Sequence, residues 1–257
     1  MSNKKINSEQ GHWLLAKMGK KVLRPGGKEL TLKLIKNLGI SRTDDIVEFA
    51  PGLGFTASVA LEKNPRSYTG VELNEEAAAY LRKRIQGDNR QIVVGNAADS
   101  KLEEASVDKV YGEAMLTMQA DHRKSEIIRE AHRILKKGGQ YGIHELGLSP
   151  TDMPEEEKAS IQKELAQVIK VNARPLTATE WKHLLEKEGF KVVKVETNDM
   201  HLLEPRRVIQ DEGFLRTLKI IFNVLTHPKA RKRIFRMRKT FQKYQPNLQA
   251  IAIVAEK

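Results

Sequence analysis

The stretch Asp45-Ile46-Val47-Glu48-Phe49-Ala50-Pro51-Gly52-Leu53-Gly54-Phe55-Thr56-Ala57 decides the fold of this chain. Its first part is an apolar run typical of a buried strand, and a glycine turn then leads into a helical pattern. Small residues at Ala50, Gly52 and Gly54 let the backbone approach a ligand closely, where a larger side chain would collide. The stretch therefore predicts a strand, a tight turn and a helix, with a ligand bound where the strand ends.

Strand-like runs and longer helical patterns alternate on both sides of this turn. The alternation is typical of parallel strands joined by crossover helices, so the sequence predicts an α/β, Rossmann-like fold with helices on both faces of the sheet. Residues 1–40 are predicted to form an N-terminal helical lid segment, residues 41–257 the main domain, and residues 200–248 a basic helical insertion before the last strand. The seven expected strands are Asp45–Ala50, Ser67–Leu73, Gln91–Ala97, Val107–Glu113, Gln140–Leu146, Lys191–Thr197 and Gln249–Ala255.

The composition excludes several classes of chemistry. The 257 residues include no cysteine, which removes disulfides, zinc–thiolate sites and cysteine nucleophiles. The acidic residues show no regular metal-ligand spacing, so no metal is expected. The polar start of the chain and the absence of an apolar run of transmembrane length predict a cytoplasmic protein that is soluble or at most peripheral to a membrane.

The glycine turn fits two different cofactor patterns. The run from Gly52 to Ala57 matches the dinucleotide pattern G-x-G-x-x-A, and the acidic Glu72 follows at the distance expected of a residue that binds ribose hydroxyls. On this pattern alone, an NAD(P)-dependent oxidoreductase is a fair interpretation. The segments that follow the next strands are needed to separate it from the alternative.

Three segments together resemble the class I S-adenosylmethionine-dependent methyltransferases. The run from Glu48 to Gly54 resembles their first motif, an acidic residue followed by three alternating glycines, with Ala50 in place of the first glycine. The segment 94–99 resembles their "G-D-A" segment, with Asn96 where Asp is commoner. The segment 127–139 resembles their "R-x-L-K-P-G-G" passage from helix to strand. The resemblance covers about residues 11–146. Within the family, the chain is most similar to ubiquinone and menaquinone C-methyltransferase-like enzymes of the small-molecule type.

This resemblance implies a sheet whose last strand is antiparallel, and S-adenosyl-L-methionine as the cofactor. It also implies that Glu48 faces the methionine ammonium of the donor, that the turn faces its ribose and carboxylate, and that Glu72 accepts hydrogen bonds from the ribose. Asn96 and the backbone after it would contact the adenine. The expected cofactor-binding residues are Glu48, Ala50, Pro51, Gly52, Gly54, Glu72, Leu73, Asn96, Ala97 and Glu113.

Two residues at the ends of neighbouring strands are the candidates for catalysis. Glu113 ends the fourth predicted strand, and His144 lies near the end of the fifth, at the same edge of the sheet. A histidine titrates near neutrality and suits proton abstraction from an acceptor. For both residues a structural hydrogen bond is the competing interpretation. Arg24, before a Pro-Gly-Gly turn, suits binding of a carboxylate or is a solvated loop cation.

The segment from Met200 to Leu248 carries twelve Lys or Arg against three Asp or Glu, so it supplies +9 of the net charge of +12. Its cations alternate with apolar residues at helical spacing. The functional interpretations are a lid over a hydrophobic acceptor, peripheral contact with an anionic membrane, and a nucleic-acid clamp. A core-packed helix with a solvated basic face explains the pattern equally well. We favour the lid, and thus a small, hydrophobic methyl acceptor, and rank a nucleic-acid substrate last.

Overall fold

A single eight-stranded sheet forms the centre of the molecule in the computed structural model, which describes residues 10–257. The order of strands is β3-β2-β1-β4-β5-β8-β7, and the short β6 pairs with the end of β5. Strands β1 to β5 are parallel, whereas β8 is antiparallel to both of its neighbours. The strands are β1 (Asp45–Phe49), β2 (Ser67–Glu72), β3 (Arg90–Val94), β4 (Val107–Glu113), β5 (Leu135–Leu148), β6 (Leu176–Thr177), β7 (Lys191–Asp199) and β8 (Leu248–Glu256).

This architecture confirms the predicted α/β fold with an antiparallel last strand, and it adds one strand. The sequence did not indicate β6, because two residues are too short to show an alternation of apolar and polar side chains. The fifth strand begins five residues earlier than expected, at Leu135, where it pairs with Val107 across an irregularity in β4. The preceding helix consequently ends at Ile134.

Helices cover both faces of the sheet, as predicted, because neighbouring side chains of each strand point in opposite directions. In β1, Ile46 belongs to one apolar cluster and Val47 to the other. The helices within the described residues are α1 (Gly11–Lys17), α2 (Gly27–Leu38), α3 (Phe55–Leu61), α4 (Glu75–Arg84), α5 (Asp121–Ile134), α6 (Glu155–Ile169), α7 (Ala178–Lys187), α8 (Pro205–Glu212), α9 (Phe214–Thr226) and α10 (Pro228–Lys243).

The predicted lid segment, residues 1–40, consists of two structurally different parts. Helix α2 is a core helix, because Leu30, Leu34 and Leu38 are buried in the apolar cluster against the sheet. Helix α1 instead packs on the insertion through Leu14, which forms a small cluster with Met18 and Ala230. Within the described residues, only 10–26 therefore remain as the predicted lid, which stays a prediction. The first nine residues of that segment lie outside the described part of the chain.

The predicted basic insertion lies between β7 and β8 and consists of α8, α9 and α10. Helix α10 packs on α6, where Met237 and Phe241 share an apolar cluster with Ile161 and Leu165. The insertion is thus anchored to the body of the protein through one face of its last helix.

The packing around the two glycines that flank α2 predicts that alanine substitutions there lower the stability of the protein to different extents. Gly26 has a left-handed φ of 70°, and a Cβ there would lie 2.6 Å from Cβ of Ala250. Gly39, which ends α2, has a φ of 58° and no atom within 4 Å of the same position. Gly26→Ala should lower the free energy of unfolding by about 2 to 4 kcal/mol, from strain plus overpacking. Gly39→Ala should lower it by about 1 kcal/mol. Urea unfolding measures both, and equal losses would contradict the packing argument.

Candidate active site

The turn after β1 is held in an unusual backbone conformation. Ala50, Gly52 and Gly54 have φ angles of 53°, 58° and 76°. This left-handed region is costly for any residue except glycine, so Ala50 is strained where the methyltransferase pattern has glycine. At Gly54 a side chain is also excluded by packing, because a Cβ would lie 2.7 Å from Cδ2 of Leu81. The buried Pro51 completes the turn, which therefore presents backbone rather than side chains to the strand end.

Glu72, at the end of β2, ties this turn to the neighbouring strand. Its Oε2 accepts a hydrogen bond of 3.0 Å from the backbone N–H of Gly52, and its Oε1 accepts one of 2.9 Å from Asn74. The carboxylate is largely buried, and burial raises its pKa against the lowering effect of these N–H donors. Leu73, the next residue, is 58% exposed. Two predicted site residues thus place an acceptor and an apolar surface beside the turn.

Glu48 lies behind the turn in a closed environment. Its Oε2 accepts hydrogen bonds from the hydroxyl groups of Tyr68, at 2.8 Å, and Tyr111, at 3.1 Å. Burial raises the pKa of Glu48 to about 8, although the two tyrosine hydroxyls act in the opposite direction. The side chain is consequently mostly protonated at neutral pH. Its predicted contact with a ligand ammonium stays a prediction.

Asn96 and Ala97 follow β3 on the same side of the sheet. The Asn96 Oδ1 accepts hydrogen bonds from the Ala98 N–H, at 3.0 Å, and from Arg123, at 3.2 Å. These bonds fix the side chain and orient the loop. Ala97 is buried, and its backbone N–H has no acceptor within residues 10–257. This N–H is therefore available as a hydrogen-bond donor.

The structure brings the two predicted catalytic residues into direct contact. Nδ1 of His144 lies 2.7 Å from Oε1 of Glu113, which also accepts a hydrogen bond of 2.8 Å from Thr31. Oε2 of Glu113 accepts a hydrogen bond of 2.7 Å from Arg24 and another from Thr56. Burial alone would raise the pKa of Glu113, but the charge of Arg24 and the contact with His144 hold it at about 2. Glu113 is thus an ionised carboxylate at the centre of a polar cluster.

His144 is fully buried and has an acceptor on each ring nitrogen. Its Nε2 lies 2.5 Å from the carbonyl oxygen of Pro25, opposite the Glu113 contact. The Glu113 carboxylate and the Pro25 carbonyl oxygen both accept hydrogen bonds from the ring only when both of its nitrogens carry hydrogen. In this conformation the ring has no free nitrogen to accept a proton, so its predicted role in catalysis requires Pro25 to move. That role stays a prediction.

The partners of Glu113 were not all apparent from the sequence. Arg24 was noted, but Thr31 and Thr56 were not. Thr31 lies in no motif, Thr56 occupies an unspecified position of the glycine pattern, and both reach Glu113 only through folding. Glu145, next to His144, was also missed: its carboxylate accepts hydrogen bonds from the backbone of residues 115–117 and shapes the loop after β4. No group of three or more His, Asp or Glu suited to a metal occurs within residues 10–257.

Comparisons with known proteins agree with this geometry. A family model of the methyltransferase domain matches residues 47–143. An uncharacterized protein from Haemophilus influenzae is 35% identical over 253 residues, covering 97% of this chain and 98% of that protein. The phosphoethanolamine N-methyltransferase 2 of Haemonchus contortus, solved with phosphomonomethylethanolamine and S-adenosylhomocysteine, superposes with a TM-score of 0.75 at 18% identity, covering 99% of this chain. This chain spans only 59% of that enzyme. The cyclopropane synthase MmaA2 of Mycobacterium tuberculosis superposes with a TM-score of 0.67 at 14% identity, covering 89% of this chain and 83% of MmaA2.

Residues 47–143 thus form a methyltransferase domain, and the chain has the fold of the class I S-adenosylmethionine-dependent methyltransferases. The strand order supports this assignment independently, because dinucleotide-binding Rossmann sheets end in the parallel order 4-5-6. Here the antiparallel β8 is inserted between β5 and β7. The narrower similarity to ubiquinone and menaquinone enzymes stays a prediction.

The buried Glu48 predicts a pH-dependent stability. Its pKa of about 8 in the folded protein lies above the ordinary value of 4.5, so stability falls as pH rises between these two values. Glu48→Gln keeps an acceptor for the tyrosines and removes the ionisable group. The free energy of unfolding of the variant, minus that of the wild type, should therefore increase by about 3 kcal/mol from pH 5 to pH 7.5. Denaturant unfolding at several pH values measures it. A difference that stays constant with pH would show that Glu48 titrates normally.

Proposed function

We propose that this protein binds S-adenosylmethionine at the carboxyl ends of β1, β2 and β3 and transfers its methyl group to a small molecule. The observation that carries the proposal is the hydrogen bond from Gly52 to Glu72. It joins the turn that would face the donor to the carboxylate that would accept hydrogen bonds from its ribose, so both parts are fixed before the donor binds.

The neighbouring groups suit the adenosine part of the donor. Leu73 offers an exposed apolar side chain on which an adenine ring can pack. In this proposal the N–H of Ala97 would donate to a ring nitrogen, and Asn96 fixes the loop that carries it. In this proposal Glu72 keeps lone pairs for the ribose hydroxyls after accepting its two backbone N–H bonds.

The methionine part of the donor would then extend toward Glu48, Arg24 and Glu113. Arg24 stacks on the ring of Phe55, the first residue of α3, at 5.0 Å from its centroid. A guanidinium at this position matches a carboxylate. A bound donor would supply an electrophilic methyl on its sulfonium, which the acceptor's electron pair would bond at carbon while the carbon–sulfur bond breaks. The protein's contribution is to hold the reactants in line, which can supply about 7 to 11 kcal/mol.

The acceptor proposed here is a small molecule, in keeping with the substrates named for the related folds. Phosphomonomethylethanolamine is bound to the Haemonchus enzyme. The further expectation of a hydrophobic acceptor rested on the basic insertion closing over the site as a lid. In the structure the apolar face of α9 is exposed rather than packed over the strand ends, so the lid interpretation has no support. We therefore propose a small acceptor without assigning its polarity.

Any proton released by the acceptor would pass to the His144–Glu113 pair in our proposal. Glu113 is ionised and holds Nδ1 of His144, while Pro25 covers Nε2. Displacement of the Arg24-Pro25 segment would uncover Nε2, which could take up the acceptor's proton after releasing to solvent the hydrogen that it donates to Pro25. A bell-shaped or sigmoid pH profile of turnover that disappears in His144→Asn tests this role.

Donor binding provides the direct test. Glu72→Gln removes the negative charge and one acceptor, so its affinity for S-adenosylhomocysteine should be about tenfold to a hundredfold lower than that of the wild type. Glu62→Gln, an exposed position just after α3, is the matched control and should bind normally. Isothermal titration calorimetry measures both affinities, and thermal unfolding confirms that both variants are folded.

Two outcomes would overturn the proposal. Binding of NADH in preference to S-adenosylhomocysteine would favour an oxidoreductase. Normal binding of S-adenosylhomocysteine by Glu72→Gln would move the donor away from β2. Incubation with methyl-labelled donor and a metabolite extract then identifies the acceptor, and label found only in nucleic acid would support the alternative of a nucleic-acid methyltransferase.

A further inference from the structure

Helix α9 presents an apolar face to solvent. Eight of the fourteen large apolar side chains that are exposed within residues 10–257 lie between Ile209 and Phe235. A soluble surface rarely concentrates apolar side chains in this way unless it contacts a partner. Six of them share one side of α9, with exposed fractions between 48% and 81%: Phe214, Leu215, Leu218, Ile221, Phe222 and Leu225.

The opposite side of α9 is fixed to the body of the protein. Thr217 is buried, and its hydroxyl donates to the carbonyl oxygen of Val208 in α8 at 3.4 Å. The side-chain amide of Asn223 donates to the carbonyl oxygen of Met18 at 3.0 Å, and Val224 packs on the cluster of α1. Because these contacts set the rotation of the helix, the apolar side is held outward by the fold.

Unpaired cations lie on α9 itself and on the neighbouring helix α10. Within residues 10–257, six exposed cations of α9 and α10 have no carboxylate partner: Lys219, Lys229, Arg231, Lys232, Arg236 and Lys239. The two acids of α8 do not offset them, since the Asp211 and Glu212 side chains are buried and lie 3.8 and 3.7 Å from the Nζ of Lys20. We call these six cations, together with the six apolar side chains, the α9–α10 face.

We propose that the α9–α10 face docks on the surface of an anionic membrane. Apolar side chains of a surface helix enter the boundary between headgroups and acyl chains, while neighbouring Lys and Arg bind the anionic headgroups. One partner thereby satisfies both halves of the face. The contact is peripheral, since no helix within the described residues is long and apolar enough to cross a bilayer.

Other occupants fit only half of the face. A second copy of this chain would cover the apolar side chains but bring two sets of unpaired cations together. A nucleic acid would pair with the cations but leave Leu215, Leu218 and Leu225 facing water or phosphate. The proposal is independent of the methyl acceptor and of donor binding.

Vesicle co-sedimentation of the full chain tests the proposal. The wild type should bind vesicles of phosphatidylcholine with about one third phosphatidylglycerol at least tenfold more tightly than vesicles of phosphatidylcholine alone, and salt should weaken the binding. Leu215→Gln with Phe222→Gln should lower the affinity about tenfold or more by removing apolar contact. Lys232→Gln with Lys239→Gln should lower it about tenfold or more, at roughly fivefold per cation.

Matched controls separate the face from general surface effects. Val193→Gln with Val195→Gln changes two exposed apolar residues of β7, and Lys63→Gln with Lys83→Gln removes two exposed cations elsewhere. Both control variants should bind anionic vesicles like the wild type. Thermal unfolding and S-adenosylhomocysteine binding, measured on all variants, confirm that the fold is retained.

Four results would overturn the proposal. The first is no binding of the wild type to anionic vesicles. The second is equal binding by the face variants and their controls. The third is a dimer in light scattering that Leu215→Gln with Phe222→Gln dissociates, without vesicle binding, which would assign the face to a second copy. Retention on DNA that needs the cations but not the apolar residues, again without vesicle binding, would assign it to nucleic acid.

Discussion

The carboxylate of Glu113 joins three parts of the chain that are far apart in sequence. It accepts hydrogen bonds from Arg24 before α2, from Thr31 within α2 and from Thr56 within α3, and it contacts His144 of β5. A buried carboxylate is tolerated only when charged and polar partners compensate for the lost hydration. The need to compensate the buried charge of Glu113 therefore holds each of these partners in place. The segment before α2 covers the edge of the sheet at β4 and β5.

Glu48 and Glu72 lie on neighbouring strands but have different hydrogen-bond partners. Both acids lie on adjacent strands, yet Glu48 is enclosed by two tyrosine hydroxyls whereas Glu72 binds backbone N–H groups at the turn. A buried acid with only neutral hydroxyl donors favours its protonated form, and the pKa of Glu48 is accordingly about 8. Glu113, buried to the same degree but beside a guanidinium, has a pKa of about 2. Sequence motifs identify acids at strand ends, but the surrounding groups decide their charge.

The sequence predicted those parts of the site that lie within one strand and the turn after it. The turn at Gly52 and Gly54, the acid Glu72 and the loop at Asn96 lie at the strand ends where the sequence places them, because residues adjacent in sequence are also adjacent there. Their contacts with a donor stay predictions. The contacts of Thr31 and Thr56 with Glu113 could not be predicted, since they depend on how α2 and α3 pack over the sheet. The insertion shows the same limit, because helical spacing predicted an apolar stripe on α9 but not which side would be buried.

The segment that covers His144 is also fixed to the insertion. The backbone N–H groups of Lys21 and Val22 donate to the Glu212 carboxylate at 2.7 and 2.8 Å, and the N–H of Lys28 donates to Asp211 at 2.8 Å. These bonds flank Pro25, whose carbonyl oxygen contacts His144. Because Asp211 and Glu212 end α8, directly before α9, any displacement of α8 must either break these bonds or move the segment over His144. The fold thus connects the insertion to the candidate catalytic pair through three hydrogen bonds between the end of α8 and the segment around Pro25.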